Sequence, residues 1–359
     1  MQWHPLKMTY HVRAYAFGAR LIPEMLGKQG VPASVVAETW EISDYRETTA
    51  TILDGSFAGR TLHDVTLAHP DEVVGEGWRG PHFPLLAKFL DASHRLPVHL
   101  HADDETAARL HGEPNGKTEA WHILWCAADA SILAGVKPGV GRDDLIAAFK
   151  AQNYDAVMPR YPIHPGQTIY VSGGVLHSFG PETLIFEIQQ TSDLGQNVMP
   201  HDLYGKRLDE ATWDANIERT LAELRTDYLP RPQDGLEKPN PDPAPNGNRF
   251  KVGAAGPHFA LERWIIAHPH AVAARPDRCL TLSNLGDQVT LAYRGGVVSL
   301  GKAESCLLPA ALGDFTIVPS HRTVLIACYV PDLQRDIVQP LQQAGHPDEA
   351  IMALGEVRV

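Results

Sequence analysis

The chain has 359 residues and a formal charge of -12, from 43 acidic and 31 basic side chains. That length exceeds what one hydrophobic core usually serves, and an apolar content of 44% supplies core material without disulfide staples. An acidic chain gains no electrostatic attraction to nucleic acid or anionic membrane, and no apolar stretch reaches the ~20 residues of a membrane span, so neither partner is expected.

Short apolar runs bounded by Gly and Pro dominate, as at Thr168–Val171, 184–188 and 305–309. They are rich in β-branched and aromatic residues and predict a sandwich or barrel of many short strands. Helices are fewer. An Asp start with Glu105 close behind predicts one over 103–111, and apolar spacing predicts others over 142–152 and 206–228. A stretch rich in Pro, Asp, Asn and Gly, 229–248, reads as a linker. It divides a larger part, 1–228, from a C-terminal part, 249–359. Cys126, Cys279, Cys306 and Cys328 are scattered through apolar runs without knuckle spacing and read as reduced core thiols. No apolar leader opens the sequence, so a cytoplasmic protein, monomeric or homodimeric, is expected.

Three elements carry chemistry. His99 and His101 flank Leu100; in a strand, residues i and i+2 share a face, so both imidazoles can reach one ion. With 18 histidines in the chain such a pair alone is weak. The second element is PGQTIYVSGGVLH at 165–177, a turn, a strand, a tight Gly-Gly turn and then His177. It resembles the second signature of cupin barrels, in which that His points into the barrel beside the HxH pair. The third is Glu119 within GKTEAWH at 116–122. Three imidazoles and one carboxylate suit one divalent ion, whether zinc, iron, manganese or nickel.

The runs LPVHLHADDETA (96–107), GKTEAWHIL (116–124) and PGQTIYVSGGVLHSFGPETLIFEIQQTSD (165–193) together resemble type I mannose-6-phosphate isomerases of the short bacterial kind. So do residues 83–92, AETWEIS at 37–43 and FGARL at 17–21, and SLGKAESCLLPAALGDFTI at 299–317 is similar to the family's second barrel. The resemblance implies a mainly β fold of two cupin, jelly-roll-like barrels with a few inserted helices, chemistry in 1–228 and a degenerate barrel in 249–359. It implies metal ligands His99, His101, Glu119 and His177, and active-site positions Lys117, Lys88 and Glu187. The implied reaction interconverts an aldose phosphate and its ketose through a metal-stabilised enediol. Two other readings share the ligand set: a cupin oxidoreductase with a three-His, one-Glu site, and a silent sugar-binding cupin.

Three departures stand out. His99 replaces a Gln usual in the family, Pro97 replaces a Ser used near the phosphate, and Asn197 stands where an Arg implicated in catalysis is usual. Losing a hydroxyl, a backbone donor and a fixed charge predicts weaker preference for a phosphorylated sugar, unless Asn197, Lys206 and Arg207 contribute to substrate binding.

Overall fold

A computed structural model describes residues 2–241 and 246–359. It is mainly β, with four antiparallel sheets and short inserted helices. In the first half a six-stranded sheet runs His11–Arg13, Glu38–Ile42, Leu85–Ala92, Thr183–Gln190, Glu119–Cys126, Thr168–Val171. Opposite it lies a five-stranded sheet, Gln196–Asn197, His99–Leu100, His177–Gly180, Ser131–Ala134, Arg160–Pro162. The second half repeats the plan with a seven-stranded and a four-stranded sheet.

The period of two along a strand decides what each face does. In Leu85–Ala92 all eight residues are buried. Leu85, Ala87 and Phe89 join one apolar cluster, while Leu90 and Ala92 join another. Lys88 shares the second face. Thr183–Gln190 behaves alike: Leu184, Phe186 and Ile188 join the first cluster, and Ile185 joins the second beside Glu187. The register sets Glu187 opposite Lys88 on one side and Trp121 on the other. One face of the six-stranded sheet is therefore dry, and the other carries charge into the space between the two sheets.

The dry face is where the halves meet. Its cluster unites Phe89, Phe186 and Ile188 with Leu261, Leu307, Ile326 and Cys328 of the seven-stranded sheet. A separate core fills the second half, with Phe250, Leu282, Leu291 and Ile317. Leu6–Lys7 forms the edge of the seven-stranded sheet, pairing with Cys306 and Leu307. The first residues of the chain thus serve the C-terminal sheet. All four cysteines are free, and three are buried.

Two sequence expectations need correction. The helix expected over 206–228 spans only Glu210–Glu223, because the Asp209 side chain accepts the Thr212 N–H and caps it there, and 202–206 is spent on a turn. The stretch 229–248, read as a linker, contains a strand, Leu236–Lys238, paired with 250–252, and Gln233 bridges to Thr168. Three residues between Pro and Gly are too few for a period to show. Residues 242–245 of that stretch lie outside the described residues. Among the described residues no helix is long and apolar enough to cross a membrane.

Leu6 is fully buried in the shared cluster although its edge strand is only two residues long. Leu6→Ala should cost about 2–5 kcal/mol in urea unfolding; a loss below about 1 kcal/mol would show that the first strand does not hold the sheet edge.

Candidate metal centre and active site

His177 opens its strand directly opposite His99, and His101 follows one residue beyond the end of His99–Leu100. The three rings lie with centroids 4.2 to 5.0 Å apart. Each Nδ1 lies against a backbone carbonyl: His99 on Pro97 O at 2.7 Å, His101 on Leu194 O at 2.6 Å, His177 on Val175 O at 2.8 Å. A carbonyl only accepts, so each Nδ1 carries the proton and donates, which leaves Nε2 as a bare lone pair in the neutral ring. Burial, the largest cause, keeps His99 well below the usual histidine range and lowers His101 to about 3, with neighbouring positive groups adding to it.

Neutral rings of this tautomer should not bring their lone pairs together. Yet His99 Nε2 and His177 Nε2 are 3.0 Å apart. Glu119 closes the cluster, with Oε1 at 3.3 Å from His177 Nε2 and Oε2 at 3.3 Å from His101 Nε2. Ligands at 2.0–2.1 Å around a tetrahedral zinc ion are separated by about 3.3 Å. The donor set fits one divalent cation in both chemistry and spacing, and the three imidazoles form a metal-competent group. The hydrogen-bonded Nδ1 atoms are the orienting contacts such a site needs. Glu119 is oriented too: the Trp121 indole N–H donates to Oε1 at 2.8 Å. Burial alone would raise the Glu119 carboxyl, but Lys117, His101 and His177 hold it well below the usual range.

Around the cluster runs a chain of buried charges. Lys117 Nζ lies 2.8 Å from Glu119 Oε2, 2.9 Å from His101 Nε2 and 3.8 Å from Glu187 Oε1. Lys88 Nζ lies 3.3 Å from Glu187 Oε1 and 3.7 Å from Glu38 Oε2. Burial and then the Glu119 charge raise Glu187 to about 7 against the pull of both lysines. Burial opposes the Lys88 charge, but Glu38, Glu187 and Asp193 more than offset it and raise its pKa. These groups open onto a cavity of about 340 Å³.

The expected residues His99, His101, His177, Glu119, Lys117, Lys88 and Glu187 therefore come together. Asn197 lines the cavity as well. Its amide is engaged in its own loop, donating to His201 O at 2.9 Å and accepting the Met199 N–H at 2.6 Å. Lys206 and Arg207 do not join the site: both are exposed, precede the helix and are absent from the cavity wall. The expected helix start at 206 misplaced them. Sequence reasoning missed Glu38, Tyr15, Asp193 and Arg219, which line the cavity. Glu38 had a signal, since Glu38-Thr39-Trp40 repeats the spacing of Glu119-Ala120-Trp121, and the Trp40 indole N–H donates to Glu38 Oε2 at 2.6 Å.

Residues 6–120 match the model of the phosphomannose isomerase type I catalytic domain. Along 328 residues, the chain is 27% identical to a mannose-6-phosphate isomerase of Streptococcus mutans, covering 88% of this chain and 98% of that one. A mannose-6-phosphate isomerase of Bacillus subtilis is 30% identical over 172 residues, 48% of this chain and 54% of that one. The crystal structure of the mannose 6-phosphate isomerase from Bacillus subtilis superposes with a TM-score of 0.79 at 25% identity, covering 91% of this chain and 99% of that one. The chain is thus similar to mannose-6-phosphate isomerases along most of its length, and to the type I catalytic domain over residues 6–120. Its mainly β architecture is the cupin-type fold of phosphomannose isomerases.

Two measurements follow from this geometry. Trp121→Phe removes the donor that orients Glu119, so cobalt affinity should fall about ten- to a hundredfold with the fold retained; unchanged affinity would deny the indole that role. In metal-free protein Glu187 is raised to about 7 from an ordinary 4.5. The folded state holds that proton more tightly than the unfolded chain, so stability is fully present below about 4.5 and is lost as pH rises through 7. Urea midpoints between pH 5 and pH 8 should drop more for the parent than for Glu187→Gln; equal drops would contradict the raised carboxyl.

Proposed function

We propose that this chain is a metal-dependent aldose–ketose isomerase acting on a sugar phosphate of the mannose-6-phosphate/fructose-6-phosphate type. Similarity to mannose-6-phosphate isomerases supports the class of reaction. The observation that carries the proposal is the convergence of three Nε2 lone pairs and the Glu119 carboxylate beside buried Lys117 and Glu187 in one cavity. Zinc is the ion the ligand set favours. Held by His99, His101, Glu119 and His177, a divalent ion would supply Lewis-acid stabilisation of the negative charge that develops on the sugar oxygens.

The remaining chemistry is proton transfer by protein groups. A base takes the proton from C2 of the open-chain aldose; its electron pair forms the C1–C2 double bond as the carbonyl pair moves onto O1. The proton on O2 then passes to O1, the double-bond pair takes the carried proton at C1, and C2 becomes the ketone. Glu187 is the stronger candidate for the base, ahead of Lys117. A carboxyl near pH 7 is divided between its two forms, which suits a group that must take and return a proton. Lys117 sits between Glu187 and Glu119, which supports its reading as the donor to the oxygen that becomes negative. Lys88 holds Glu187 in position through the directly paired strands.

His101→Ala should lose its divalent ion in elemental analysis and with it all detectable isomerisation. Glu187→Gln should keep the metal while kcat falls about a hundredfold or more. Full metal content in His101→Ala, or no conversion of any aldose by zinc-replete parent protein, would refute the proposal.

A further inference from the structure

The cavity wall is dominated by acids, with Glu38, Glu119, Glu187, Asp193 and Asp202 all present. Its cations other than histidine are Lys88, Lys117 and Arg219. Both lysines are already committed, Lys88 to Glu38 and Glu187, Lys117 to Glu119 and Glu187. Arg219 differs. Among the described residues it has no carboxylate within ion-pair distance, and its one hydrogen bond runs from NH1 to the Asn216 Oδ1 at 3.3 Å. An unpaired guanidinium at the rim of an otherwise acidic cavity has no structural role that this fold reveals, and it is the side chain whose planar fork matches a phosphate.

Its placement is fixed by packing rather than chance. The Glu210–Glu223 helix buries Trp213 and Ile217 against Leu100, Leu176 and Val198. The Trp213 indole N–H donates to Val198 O at 2.8 Å, tying the helix to the strand that pairs with His99. Asn216 and Arg219, three residues apart, share the neighbouring helix face and reach the cavity. His99 and Arg219 thus line one and the same cavity.

We propose that Arg219, with Asn216 beside it, is the anion subsite that binds the phosphate of the substrate, replacing the charge and hydroxyl that Asn197 and Pro97 do not supply. This rests on the isomerase reading for its substrate class, and it reverses the expectation that those two departures weaken phosphate recognition. The specificity for phosphorylated sugars then resides on an inserted helix and not on the strands around the metal.

The test separates the subsite from the reaction. Calorimetry with mannose 6-phosphate, mannose and inorganic phosphate on the parent, Arg219→Ala and Arg219→Lys reads binding alone. The parent should prefer mannose 6-phosphate over mannose, and Arg219→Ala should shrink that preference at least about tenfold, with Arg219→Lys restoring part of it. Because the group is exposed, the preference should also decline as ionic strength rises. In steady-state assays the loss should appear in KM for the phosphorylated sugar more than in kcat, with metal content unchanged. If the parent binds the phosphorylated sugar selectively but turns over nothing, the isomerase reading fails and the subsite stands. An unchanged preference in Arg219→Ala, with metal content and melting temperature intact, overturns the subsite whatever the turnover.

Discussion

Lone pairs aimed at one point repel unless positive charge stands among them, and the space between the two sheets of the first half is organised around that fact. Three backbone carbonyls, those of Pro97, Val175 and Leu194, take the Nδ1 protons and so force the three Nε2 lone pairs inward. Neutral rings are further secured by burial, which keeps His99 and His101 far from protonation at physiological pH. Pro97 illustrates the logic. It has no N–H to offer a ligand, but its carbonyl is the atom that orients His99. The substitution that looks like a loss when judged by its missing hydroxyl is, in place, part of the scaffold of the cluster.

The inward-facing charges extend the same constraint outward. A carboxylate beside the imidazoles needs a compensating cation, and Lys117 serves Glu119 at 2.8 Å. Lys117 in turn reaches Glu187, and Glu187 reaches Lys88, whose second partner is Glu38. Glu187 and Lys88 are direct partners across paired strands, and Glu38 lies two residues along its strand from Trp40, the partner of Lys88, so this part of the network is a product of register. A one-residue slip of Thr183–Gln190 would bury Glu187 in the dry interface between the halves and expel Phe186 into the cavity. The apolar seam behind the sheet is therefore what fixes the chemistry in front of it.

This also accounts for what the sequence could reveal. His99 and His101 were legible because a strand has period two, and His177 because it opens a strand after a Gly-Gly turn, whereas Glu119 was legible through the resemblance carried by GKTEAWH. The strand Thr168–Val171 lies where its β-branched run predicted. Arg219 was illegible: nothing local distinguishes it from any exposed helical arginine, and its meaning comes from where Trp213 and Ile217 seat the helix. Lys206 and Arg207 were misjudged for the complementary reason. Apolar spacing suggested a helix from 206, whereas the Asp209 cap starts it at Glu210 and leaves the two basic residues in a turn. Periodicity reports which face is buried; it does not report against what, and long-range docking decides which exposed charge meets a ligand.

The second half shows how far a local motif determines a site. Glu262-Arg263-Trp264 repeats the spacing of Glu38-Thr39-Trp40 and Glu119-Ala120-Trp121, and its indole N–H likewise donates to the glutamate, at 2.7 Å. Glu262 is buried as deeply as Glu119. Its other neighbours differ: Lys238 Nζ at 2.9 Å and the Tyr329 hydroxyl both donate to it. Burial still opposes its charge, but Lys238 and those donors outweigh it and keep the carboxyl below its ordinary value. The same strand geometry that presents Glu119 to converging lone pairs presents Glu262 to donors that already satisfy it. Both glutamates meet an ammonium at similar distance, Lys117 at 2.8 Å and Lys238 at 2.9 Å, so charge compensation does not distinguish them. What distinguishes Glu119 is that His101 and His177 also turn Nε2 atoms toward it at 3.3 Å, where Glu262 instead accepts the Tyr329 hydroxyl.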